Sequence, residues 1–175
     1  MQRILALYMD GTSIDDNGDL GAASVAAILE AQRLGWLVCF VSGRREIDML
    51  YMDDGWRVAD YLILNNGGKI IRIADGAVLH NVYINQDDAK RLLAHCLSID
   101  QQLYAVSGVD WWVNRESEGG RRYAESLGSF PRLYSRIDEV PIHRIEGFMV
   151  TEEGDELREL IASKGLGLEV LPSAT

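Results

Sequence analysis

Apolar and polar positions fall in short blocks along the first part of this chain. The run Ile4-Leu5-Ala6-Leu7-Tyr8-Met9 stops abruptly at Asp10-Gly11-Thr12, the pattern of a buried strand that delivers an acid to a tight turn. Gly11 lets the chain turn sharply, and Thr12 has a hydroxyl with which to bond the turn. Asn17-Gly18 then predicts a small hairpin. The acids around it lack the glycine and glutamate spacing of a calcium loop, so they read as a solvated turn. Residues 20–34 carry an apolar helical face, with Gly35 as the stop. Residues 36–41 are almost wholly apolar, as a parallel strand buried on both faces requires, and they end at Ser42-Gly43-Arg44. A short helix over 45–54, a strand over 61–64, the turn Asn65-Asn66-Gly67-Gly68 and a returning strand over 69–73 complete this part.

From about residue 75 the pattern changes. A turn at Ala74-Asp75-Gly76 leads to a strand over 77–83 and an amphipathic helix over 86–97, with Asp87 and Asp88 in its first turn, where the helix dipole favours acids. Strands are expected over 102–106, 110–114 and 142–150, partial helix over 115–127, and a helix over 152–163 ending near Gly165. The expected organisation is a first domain over 1–74 and a second α/β domain over 75–175.

Composition narrows the function classes. With 47% hydrophobic and 25% charged residues, the balance is that of a globular protein. No apolar run is long enough for a membrane span and no secretory layout opens the chain, so the expected location is cytoplasmic. A net charge of −10 argues against nucleic acid and anionic membrane as partners. Cys39 and Cys96 lack metal-like spacing and read as packing residues; His80, His95 and His143 show no regular spacing either. No Ser-centred elbow, P-loop or dinucleotide fingerprint is present.

Three strand ends carry candidate chemistry. Asp10 follows the first strand, Ser42 the second and Asn66 the third, and carboxyl ends of strands are where open α/β sheets present functional groups. Taken singly, Ser42 also reads as a helix cap, and Asn66 as part of a hairpin turn. Taken in order, the segments resemble the haloacid dehalogenase superfamily of phosphotransferases, and its Cof-like branch in particular. The resemblance covers residues 4–68. It implies an α/β fold with a partial Rossmann-like parallel-sheet core and an α/β cap domain that selects the substrate. It implies a Mg²⁺-dependent phosphatase of small phosphorylated metabolites. The family's first motif is Asp-x-Asp-Gly-Thr, so the resemblance places Asp10 at the acid/base position, which also holds metal. Ser42, Gly43 and Asn66 fall at the phosphate.

The same resemblance exposes departures. Tyr8 stands where the family has its nucleophilic, metal-ligating aspartate, and a phenol is protonated at neutral pH, with a reference pKa of about 10. The family's later lysine and Gly-Asp-x-x-Asn-Asp acidic motif have no counterpart here, Lys164 falling inside the expected cap. A degenerate active site is therefore expected, inactive or much weakened. The alternative is a non-catalytic descendant that binds a ligand or a protein. Arg44, Trp112 and Arg122 are candidates for substrate or cap contacts, together with Trp111, Arg121, His143 and Arg144. Adjacent tryptophans on a strand point to opposite faces, so at most one of Trp111 and Trp112 faces a pocket. The first strand is expected to be an unprotected edge, pairing with another copy or with the tail over 168–171.

Overall fold

The computed structural model describes residues 3–14, 19–52, 54–151 and 154–169. The chain divides into two compact units, Met1–Val82 and Tyr83–Thr175. Each has its own apolar core.

The first unit is built on a five-stranded sheet in the order β1-β2-β3-β4-β5. Strands β1 (Arg3–Tyr8), β2 (Trp36–Val41) and β3 (Tyr61–Leu64) are mutually parallel, so all three end at the same side. β4 (Lys69–Arg72) and β5 (Ala77–Asn81) return antiparallel, which makes the sheet mixed rather than purely parallel. β5 is hydrogen-bonded to β4 and belongs to the first of the two compact units, which ends at Val82. Helix α1 (Ala22–Arg33) ends where Gly35 takes a left-handed φ of 81°. Val38, Phe40, Leu62 and Leu64 from the middle strands, with Ile28 from α1, form the core of this unit.

The helix expected over 45–54 is a 3-10 turn, Glu46–Tyr51, and a second 3-10 turn covers Asp54–Val58. Ile14 and Leu20 form an isolated antiparallel bridge around the expected hairpin, whose Asn17-Gly18 turn lies outside the described residues. β1 is the edge of the sheet among the described residues; its Ile4 is 61% and its Tyr8 51% exposed. Residues 170 and 171 of the proposed tail partner also lie outside the described residues.

The second unit holds a four-stranded sheet in the order β8-β7-β6-β9. Its strands are β6 (Tyr104–Ser107), β7 (Asp110–Val113), β8 (Arg132–Leu133) and β9 (Gly147–Met149). Helix α2 (Gln86–Ser98) starts at Asn85, whose side chain accepts the backbone N–H groups of Asp87 and Asp88. Helix α3 (Glu118–Leu127) starts at Ser117, which caps the Gly120 N–H at 3.0 Å, and stops at left-handed Gly128. Helix α4 covers Gly154–Ser163. The expected strand over 142–150 is shorter: Ile142–Arg144 is a 3-10 turn after Pro141, and only three residues pair with β6. Among the described residues, no helix is long and apolar enough to cross a membrane.

Candidate functional site

The site starts with the turn after β1. Met9 is buried, Asp10 stays extended at φ −69° and ψ 126°, and Gly11 takes a left-handed φ of 64°. The chain thereby reverses within a few residues and closes with an Ile14 N–H to Met9 carbonyl bond of 3.2 Å. The hydroxyl that ties this turn is that of Ser13, not Thr12, and it donates to the Tyr8 carbonyl at 2.7 Å.

Ser42 follows β2 directly, and its N–H donates to the Ile63 carbonyl at 2.9 Å, extending the ladder by one residue. Its hydroxyl is buried, and its one proton goes to Asp10. It donates to Asp10 Oδ2 at 2.8 Å and accepts the Arg44 N–H at 3.1 Å. The Arg44 guanidinium closes the cluster on the other carboxylate oxygen, with Nε at 2.8 Å and Nη2 at 2.6 Å from Asp10 Oδ1. Both side chains keep about a quarter of their surface exposed, 25% for Arg44 and 27% for Asp10.

The third strand end contributes through the backbone as well as the side chain. Asn65, Asn66 and Gly67 take φ of 52°, 53° and 96°, a left-handed run that asparagine and glycine tolerate best. The Asn65 N–H donates to the Arg44 carbonyl at 2.9 Å. A Cβ on Gly43 would lie 2.8 Å from Asn66 Oδ1, so the absence of a side chain at Gly43 is what lets Asn66 lie against that turn.

Tyr8, Asp10, Ser42, Gly43, Arg44 and Asn66 thus all belong to one end of the first sheet. Trp112 and Arg122 belong to the second unit and do not meet one another. Trp112 is buried in the core with Leu92, Leu93 and Ala105, and the guanidinium groups of Arg132 and Arg144 lie 5.6 Å from its ring centre. Arg122 is exposed on α3 and pairs with Glu118 at 3.3 Å. The pattern reading missed a pair beside the site: Lys69, at the start of β4, lies 2.5 Å from Glu46 Oε2. The available signal was a lysine at the same inward parity as Ile71, directly after the Asn65–Gly68 turn.

The donor set can be compared with what Mg²⁺ asks for, an octahedral shell of oxygens usually anchored by one or two carboxylates. Asp10 is the one carboxylate in the cluster, and both of its oxygens already accept charge-assisted or hydroxyl hydrogen bonds. Among the described residues no group of three or more His, Cys, Asp or Glu could hold a metal ion. This arrangement, as it stands, does not fit Mg²⁺. It holds instead a guanidinium and a serine hydroxyl, donors of the kind that suit an oxyanion, both engaged here by the Asp10 carboxylate.

The haloacid dehalogenase-like hydrolase family model matches residues 5–164, and the chain belongs to that family. Among solved structures, it is similar to a phosphatase of the haloalkanoate (HAD) superfamily from Bacteroides thetaiotaomicron, at 22% identity and a TM-score of 0.68, over 98% of this chain and 65% of that one. A protein of Thermotoga maritima matches at 19% identity and a TM-score of 0.76, over 100% of this chain and 67% of that one. A HAD subclass IIB sugar phosphatase matches at 17% identity and a TM-score of 0.65, over 92% of this chain and 64% of that one. The chain therefore spans about two-thirds of the length of these structures, 64% to 67%. At such identities the likeness establishes the fold: mixed parallel and antiparallel sheets with helices, the α/β Rossmann-like architecture of the superfamily.

Proposed function

We propose that this chain carries a phosphate-ester pocket for small phosphorylated metabolites, in a form that binds the phosphoryl group and turns it over poorly. The observation that carries this reading is the Asp10–Ser42–Arg44 cluster, with Tyr8 two residues before Asp10 on the same strand end. Ser42 offers a buried hydroxyl and Arg44 a planar cation, which together can recognise two oxygens of a phosphoryl group. Asn66, lying against Gly43, offers an amide beside them. Asp10, at the family's acid/base position, would hold a proton for a leaving oxygen once an anion takes over its partners.

Phosphoryl transfer depends on positioning and on neutralising charge. Enzymes of this family generally use Mg²⁺, which supplies charge neutralisation when bound. Here Tyr8 stands in place of a carboxylate and Asp10 is engaged by Arg44, so nucleophile and metal anchor are weakened together. On this reading Tyr83–Thr175 is the cap domain. Hydrolysis of an aryl phosphate with and without Mg²⁺, run beside an Asp10→Asn variant and a binding titration with inorganic phosphate, tests the proposal. Phosphate binding without Mg²⁺-dependent turnover is expected; Mg²⁺-dependent turnover lost in the variant would overturn it.

A second reading, a protein-binding member of the fold, is favoured by the edge strand β1, whose Ile4 and Tyr8 face solvent. It commits to a second copy pairing edge to edge. Sedimentation velocity over a concentration series should then show association that Ile4→Lys abolishes, and a concentration-independent monomer would dismiss it.

A further inference from the structure

Lys69 is one of only three lysines in the chain, with Lys90 and Lys164. It opens β4 directly opposite Leu64, the last residue of β3. Since β1, β2 and β3 run parallel and end at the site, Lys69 lies at the site end of the sheet. The burial of β4 alternates, with Lys69 and Ile71 inward and Ile70 and Arg72 less so, and strand parity therefore turns the lysine toward the packed side. Lys69 is only 3% exposed. A cation so placed requires a partner, and Glu46 provides one at 2.5 Å while keeping 30% of its own side chain exposed.

Glu46 comes two residues after Arg44 and begins the 3-10 turn Glu46–Tyr51. The ion pair therefore ties β4 to the turn that carries Ser42, Gly43 and Arg44. Other ties converge on the same turn. The Asn65 N–H holds the Arg44 carbonyl, and Asp48 Oδ2 accepts both the backbone N–H and the Nε–H of Arg45 at 2.9 Å. We infer that Lys69 is a positioning residue: through Glu46 it fixes the turn that sets the Arg44 guanidinium and the Ser42 hydroxyl against Asp10.

The physical case rests on what such a pair does well. Removing two charges from water costs about what their attraction returns, so an isoleucine at position 69, matching Ile71, would serve the core equally well. What an apolar side chain does not supply is a fixed direction for Glu46. Small displacements of a positioned group have large effects on recognition and reactivity, and a tie placed next to the polar cluster limits them.

The inference rests on the phosphate-pocket reading for its functional meaning, and the experiment separates the two. In the full chain, Lys69→Met, Glu46→Gln and Lys69→Arg are compared with the parent by calorimetric titration of inorganic phosphate and by the Arg44 Nε–H NMR resonance. Glu46→Gln keeps a neutral acceptor for the ammonium and serves if Lys69→Met does not fold. Lys69→Met and Glu46→Gln are expected to shift the Arg44 resonance and weaken phosphate binding by about threefold to thirtyfold, with Lys69→Arg restoring both. Folded variants with an unmoved resonance and parental affinity overturn the inference and leave the pocket reading standing. A shifted resonance in a protein whose parent binds no phosphate upholds the positioning role and removes the pocket reading.

Discussion

The Arg44 guanidinium meets Asp10 through one carboxylate oxygen, Oδ1, leaving Oδ2 to the Ser42 hydroxyl. A single acid thus organises both groups that would otherwise be offered to an anion. The pair is partly exposed, so its worth lies between a surface pair and a buried one. Arg44→Gln is expected to lower stability by about 1–2 kcal/mol in urea denaturation. The same change should weaken inorganic phosphate by about tenfold or more, since a charge-assisted donor is removed. Equal affinity in the variant would mean that the Arg44 guanidinium does not reach the anion.

Gly43→Ala separates local geometry from global stability. The added Cβ would meet Asn66 Oδ1 at 2.8 Å, while the next nearest atoms, Asn66 Cγ and Nδ2, lie at 3.6 and 3.7 Å. The conflict is thus with the end of one flexible side chain, which can rotate away. Stability should fall by less than about 1 kcal/mol, as for most changes that leave the core intact. Phosphate affinity should fall by more than that change in stability explains. Titrating phosphate into the variant, alongside a thermal melt, would reveal whether Asn66 belongs to the pocket.

Gly120→Ala tests the opposite case, a conflict with no easy escape. Its Cβ would lie 1.7 Å from the Tyr104 hydroxyl and 2.9 Å from Tyr104 Cζ. Tyr104 is buried and stacked on Trp111 at 5.4 Å, and Tyr123 meets the other ring of this cluster edge-on, 5.7 Å from Trp111. Gln102, also buried, donates to the Tyr104 hydroxyl at 3.3 Å and accepts from Thr151 at 2.7 Å. Moving the tyrosine disturbs the stack and this polar chain together. A destabilisation of about 2–4 kcal/mol is expected, with a change in the near-ultraviolet signal of Trp111.

How far the site could be read in the sequence depends on what each residue's neighbours in the chain reveal. β2 coincides with its apolar run because consecutive residues Val38, Cys39 and Phe40 are buried on both faces of the sheet, and β3 coincides with its run although its burial alternates, Leu62 and Leu64 being the buried pair. Asp10, Ser42 and Asn66 were legible as strand-end residues, and parallel pairing is what brings strand ends together. Lys69 was not, because a charged residue at the start of a strand reads as solvated until its parity and partner are known. The two-residue β8 has no periodicity to detect. The two tryptophans do face opposite sides, yet both are buried, Trp111 against Tyr123 of α3 and Trp112 in the core with Leu92 and Leu93 of α2. Alternation tells which residues share a face; it does not tell how many faces are covered.

The last prediction concerns alkaline pH. Cys96 lies wholly buried on α2 beside Leu92, Leu93 and Leu103, and burial pushes its thiol up to about 11. Burial also raises the Tyr134 phenol in the same core, and the neighbouring Cys96 adds to it. In the unfolded chain a thiol ionises near 8.5. Raising the pH therefore deprotonates the unfolded state first, and the folded state loses stability relative to it. The contribution is fully present below about pH 8.5 and is lost as pH rises toward about 11, amounting to roughly 3 kcal/mol for the thiol. Urea midpoints measured from pH 7 to 11 should fall for the parent protein. Cys96→Ala should start lower, because it leaves a small void, and then decline with a shallower slope. If both proteins decline in parallel, the thiol does not contribute to the alkaline limit and the Tyr134 phenol becomes the group to examine.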